Sequence, residues 1–161
     1  MKTHCYDVAV AARGGNDLNQ EVSDGEYKDR LKTLVRLLLD GSSCRPDPIV
    51  VVTAHLPDRA DVAAMDRLFQ RLSKEAVMEL KSDPGLPQAR RDRIRHVDAY
   101  GAFKSNQPTK SQPQPRWYSG GAFDLATIGR DSDTLHPRRL ASIYMGEIVA
   151  DSLDVAELTG L

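Results

Sequence analysis

Apolar and polar residues alternate along this chain with two different periods, and the change between them marks out the elements. Tyr6 to Ala12 is small or β-branched with no polar alternation after Asp7, the pattern of a parallel strand covered on both faces. Glu26 to Asp40 then places Tyr27, Leu31, Leu34, Val35, Leu38 and Leu39 at three- and four-residue spacings, with Lys28, Asp29, Lys32 and Arg36 between them. That spacing predicts an amphipathic helix, with Gly41 as its C-cap. Ile49-Val-Val-Val-Thr-Ala54 is short, continuous and β-branched, and predicts a central parallel strand. Val62 to Leu80 carries Met65, Leu68, Phe69, Leu72, Ala76, Val77 and Leu80 on one side and predicts a long helix, ended by Asp83-Pro-Gly-Leu-Pro87.

The second half of the chain is patterned less evenly. Gln88 to Arg95 is basic and reads as a solvated patch. Ile94 to Tyr100 alternates loosely and predicts a third strand, ending in a loop at Gly101. Ser105 to Pro115 is polar and proline-rich, the composition of a mobile surface loop. Leu140 to Leu153 predicts a closing helix with Leu140, Ile143, Tyr144 and Ile148 on one face. Strands that alternate with helices give an α/β class with a parallel sheet in layers.

Composition narrows the function more than the fold. The 161 residues fit one domain, 1–161, with room for a core. A net charge of −1 gives no global field toward nucleic acid or an anionic membrane. No run approaches transmembrane length and no signal segment opens the chain, so compartment is open and cytoplasmic is the default. Cys5 and Cys44 are too few and too far apart in sequence for a metal site or a disulfide framework, and read as free thiols. Asp58 and Asp61 near His55 lack ligand spacing, so neither a metal nor another cofactor is expected.

Candidate chemistry gathers at loops beside these elements. Asp133 and His136 stand in Asp-Thr-Leu-His-Pro, just ahead of the closing helix. A carboxylate this near an imidazole can hold the ring in one tautomer and stabilise the imidazolium, although most such pairs are solvated loop residues. His55 ends the central strand, where it could line a substrate pocket or simply pack. Trp117 lies beside Gly120 and Gly121 in a long stretch before Asp133. It could contact substrate or anchor that stretch to the core.

Two of these motifs, in their order, resemble the SGNH (GDSL-type) hydrolases. Gly14-Gly15-Asn16-Asp17 matches the family's Gly-x-Asn-Asp block, and Asp133-Thr-Leu-His136 its Asp-x-x-His block. The resemblance covers nearly the whole chain but only the later part of the family's domain. It implies a three-layer, flavodoxin-like parallel sheet lacking its first strands, with strand order 2-1-3-4-5, of which these strands would be the third to fifth. It also implies serine acyl transfer on a small ester, such as an acylated sugar or lipid. His136 would be the general base, oriented by Asp133. Asn16 and Gly14 would bind the oxyanion. Beside these, Asp17 reads as orienting its loop or capping a turn, and His55 and Trp117 are the candidates for substrate contact.

The family's nucleophile sits in a Gly-Asp-Ser block ahead of Gly-x-Asn-Asp. Thirteen residues precede Gly14, and no Gly-Asp-Ser occurs in the sequence. Three readings follow. The chain is the C-terminal part of an esterase; or it is a non-catalytic binding or interaction domain of the same fold; or Ser119 or Ser132 serves as nucleophile, which the place of Ser132 beside Asp133 disfavours. The family order also leaves Tyr6–Ala12 at an edge that upstream sequence or another chain would cover, so self-association through that edge is expected.

Overall fold

The structure, a computed structural model, describes residues 5–13, 17, 20–42, 48–54, 64, 66–105 and 139–153. Three strands form its sheet: β1 (Val8–Arg13), β2 (Ile49–Ala54) and β3 (Ile94–His96). They are parallel, in the order β1-β2-β3, with Val8 beside Ile49 and Val50 beside Ile94. The α/β class with a parallel sheet therefore holds.

β2 is central because it can be buried on both sides. Val50 and Val52 join a core of Leu31, Val35, Phe69, Ala76 and Ile94. Ile49 and Val51 point the other way, to Val97 and Val149. A β-branched residue at each position from Ile49 to Thr53 suits a strand with two dry faces. β1 departs from the expected two-sided burial. Ala11 is buried, but Val10 is 49% exposed and Ala12 is exposed, because no described element covers that end of the second face.

Helix α1 (Asp24–Gly41) crosses from β1 to β2. Ser23 caps it: its Oγ accepts the Glu26 N–H at 3.3 Å, and Asp24 and Glu26 place negative charge at the positive end of the helix dipole. Tyr27, Leu31, Val35 and Leu39 recur every fourth residue and are buried. The flank beyond them carries Lys28 and Lys32, both paired with Glu79 at 2.6 and 2.8 Å, and Arg36, paired with Asp83 at 2.6 Å. These partly exposed pairs fix the side-by-side register of two helices more than they add stability.

Gly41 is the last residue of α1 and not a left-handed cap; Ser42 follows in extended conformation. The glycine serves a close approach. The Tyr6 hydroxyl donates to the Leu38 carbonyl at 2.7 Å, and a Cβ on Gly41 would overlap it. Ser42 completes the tie: its Oγ donates to the Tyr6 carbonyl at 2.7 Å and accepts the Tyr6 N–H at 3.4 Å. This clasp brings the start of the chain against the segment that follows α1. Cys5 is disulfide-bonded accordingly, which corrects the expected free thiol; the other cysteine, Cys44, lies outside the described residues.

The expected long helix is two windings. Asp66–Leu72 is π-helical and continues as α2 (Ser73–Ser82), while residues 62, 63 and 65 lie outside the described set. The wide turn puts Leu68, Phe69 and Leu72 into the same core as Ala76, Val77 and Leu80. A short α3 (Gln88–Arg91) carries part of the basic run, and Arg90 pairs with Asp40 at 2.5 Å.

β3 is shorter than expected. After Val97 the chain turns into α4 (Ala99–Ser105), so Tyr100 and Gly101 are helical, not strand and loop. The closing helix α5 runs Arg139–Asp151. Tyr144 is buried in the cluster that contains Tyr100, its hydroxyl pushed up to about 12 by burial, with the Glu147 charge adding. Ile148, Val149 and Leu153 join Val8, Ile49 and Val51 on the second face of the sheet. Ile143, expected on the buried face, is 44% exposed.

Candidate functional site

In open parallel sheets ligands bind beyond the carboxyl ends of the strands. Here those ends are Arg13, Ala54 and His96. Gly14, Asn16 and His55 lie just beyond the first two in sequence, but outside the described residues, as do Trp117, Ser119, Ser132, Asp133 and His136. Of the Gly-Gly-Asn-Asp motif, Asp17 is described. It is buried, and Arg30 of α1 donates to its Oδ1 at 3.2 Å. Its carbonyl accepts the Val22 N–H at 3.3 Å. Asp17 is thereby tied to Val22, just ahead of α1, and to Arg30 of α1. At the end of β2, the Thr53 hydroxyl is buried without a hydrogen-bond partner.

The end of β3 opens on a cavity of about 700 Å³ lined by Asp66, Arg67, Gln70, Arg71, Lys74, His96 and Asp98. Most of its charges are already engaged. Arg67 and Arg71 both reach Asp24, at 2.8 and 2.9 Å. The Tyr100 hydroxyl donates to Asp66 Oδ1 at 2.8 Å, and its ring meets Phe69 edge to face at 5.6 Å. Asp98 accepts the Gly101 N–H at 2.7 Å, capping α4, and the Gln70 amide at 2.8 Å. A Cβ on Gly101 would collide with both of these groups.

Ser73 and His96 make a pair in this cavity, with Oγ and Nε2 3.1 Å apart. The pair has the spacing of a nucleophile and base but not the chemistry. Ser73 is 1% exposed, and its one proton goes to the Phe69 carbonyl a turn earlier. With the hydroxyl proton on that carbonyl, Oγ accepts from His96 Nε2–H and Nδ1 is left as the acceptor. Such a serine positions a histidine and does not attack a carbonyl.

Burial holds the His96 imidazole below its ordinary value, with Lys74 acting the same way and Asp98 opposing. The folded chain thus binds fewer protons here than the unfolded chain, in which histidine ionises near 6.5. Stability from this site is whole above that value and declines as pH falls below it. Urea unfolding is expected to show a loss between about pH 7.5 and about pH 5.5 that is smaller in His96→Gln. Equal losses in the two proteins would refute a buried neutral imidazole.

The sequence reading missed Ser73, His96 and Lys74. The signal was a histidine at the end of a strand, the same signal that drew attention to His55. Among the described residues no three His, Cys, Asp or Glu side chains converge to hold a metal ion, and no described helix is long and apolar enough to cross a membrane. Comparison with protein families, with characterised proteins and with solved structures gives no match.

Proposed function

We propose that this chain is the C-terminal part of an SGNH-type ester hydrolase. The carrying observation is where Gly14-Gly15-Asn16-Asp17 falls. In sequence it follows directly on Arg13, the last residue of β1, and its one described residue, Asp17, is buried against Arg30. The strand order agrees with that of the third, fourth and fifth strands of a flavodoxin-like sheet. The later residues of α5 share a cluster with Val8, Ile49, Val51 and Val97, along the second face of the sheet. His136 precedes Arg139, the first residue of α5, by three positions, and so few residues reach at most about 11 Å.

On this reading a Gly-Asp-Ser serine attacks the ester carbonyl. His136 takes its proton and later returns it to the leaving alcohol. Asp133 holds the ring and stabilises the imidazolium, and the Asn16 amide and Gly14 N–H receive the oxyanion. His55 and Trp117 contact the acyl or alcohol side of a small ester, such as an acylated sugar or lipid. The lack of Gly-Asp-Ser in the sequence favours one other reading, a non-catalytic binding domain on the same scaffold. Proximity of Asn16 to His136, measured with a spin label, tests the assignment.

A further inference from the structure

Among the described residues β1 has one ladder neighbour, β2, and its other side can pair. The Ile49 N–H donates to the Asp7 carbonyl at 2.9 Å. In a parallel ladder both backbone groups of a residue point the same way, and alternate residues serve opposite neighbours. Asp7, Ala9 and Ala11 therefore serve β2, while Val8, Val10 and Ala12 aim their N–H and C=O groups away from it. Val10 also exposes half its side chain. The same flank continues onto α1. Lys28, Lys32 and Arg36 mark the side of α1 that meets α2, so Glu26, Arg30, Leu34 and Leu37 lie on the opposite side of α1. They line a groove of about 690 Å³, and Leu37 is 64% exposed.

We propose that a second copy of this chain occupies this flank, β1 pairing antiparallel with β1 and Val10 on the two-fold axis. The register follows from the sequence. Centring on Val10 sets Val10 against Val10 and Val8 against Ala12, so that all three outward-facing residues of the strand exchange backbone hydrogen bonds. A two-fold register centred elsewhere leaves one of them without a partner in the opposing strand. The same register sets Asp7 across from Arg13 at both ends of the ribbon, opposite charges at directly facing positions, with no charge between them. An axis normal to the sheet keeps both copies of α1 on one face, Leu34 and Leu37 turned toward the partner. The result joins the three described strands of each copy into one continuous sheet across the β1 edges. The inference uses only β1 and α1 and does not rest on the esterase reading.

Sedimentation equilibrium of the full chain tests it, with two variants that spare the fold by design. Val10→Pro removes an amide that does not serve β2, and Val10→Lys sets two like charges on the axis. The unaltered chain is expected to be dimeric at tens of micromolar. Both variants should raise the dimer dissociation constant about tenfold or more with unchanged circular dichroism. Asp7→Arg should weaken the dimer severalfold, and Asp7→Arg with Arg13→Asp should restore it. Register is read by cross-linking, since facing residues in such a pair stand about 5.5 Å apart at Cα, within disulfide reach. Val10→Cys should link to itself, and Val8→Cys to Ala12→Cys in a mixed sample. A monomer at these concentrations overturns the proposal, as does a dimer indifferent to both Val10 substitutions or a Val10→Cys protein that fails to link.

Discussion

Hydrolysis of short p-nitrophenyl esters by this chain alone is expected to be indistinguishable from background. Joined to a strand and loop bearing Gly-Asp-Ser, it is expected to turn over. In that completed enzyme His136→Ala should lower kcat by about 10⁴-fold or more, because the serine keeps its proton and the leaving alcohol receives none. Asp133→Asn should cost a similar factor by releasing the ring from its productive tautomer. Asn16→Ala should cost about 10²–10³-fold, the usual effect of losing one oxyanion donor. The ranking matters more than the values. The first two substitutions act as one unit, so the double variant should be little worse than His136→Ala. Robust turnover by the chain alone that vanished in Ser119→Ala would relocate the nucleophile.

Phe69→Ala should destabilise the fold by about 3–5 kcal/mol, read from urea unfolding. Phe69 is 1% exposed, packs edge to face on Tyr100, and lies in the core that receives Val50 and Val52. Truncation leaves a void that the neighbours cannot close, since the Tyr100 hydroxyl is held by Asp66 and the adjoining Ser73 by the Phe69 carbonyl itself. A domain of this size is typically stable by about 5–15 kcal/mol, so about a fifth or more of that margin would go. Phe69→Leu, which keeps most of the volume, should cost far less. A loss under about 1 kcal/mol for the alanine would mean that the π-helical segment does not pack as described.

The strongest local patterns were the most legible. β2 and α1 stood out because a β-branched run and a four-residue apolar spacing each have one economical burial. Where two local structures satisfy the same apolar spacing, the sequence was ambiguous. Val97, Ala99 and Tyr100 read as strand, yet the Asp98 carboxylate caps a helix there, on a glycine at position 101 that leaves it room. The π-helical turn was hidden because Leu68 and Phe69 are both apolar, so one extra residue per turn leaves the stripe intact. Sequence distance misled on Cys5, since the Tyr6–Ser42 clasp joins segments 36 residues apart. The Ser73–His96 pair is set by two elements meeting across the sheet and has no local signature. Asn16, His55, Asp133 and His136 lie outside the described residues, and their assignment rests on the motifs and on the elements that precede or follow them in sequence.

The esterase reading stands on whether two motifs far apart in sequence share one rim of the sheet. A nitroxide on Asn16→Cys, with the imidazole resonances of the four histidines followed by NMR, tests that directly. The account predicts strong broadening of His136, lost when the label is reduced, and little effect on a label moved to Val8→Cys at the other end of β1. An unbroadened His136 with the Asn16 label, or equal broadening from both positions, would contradict it.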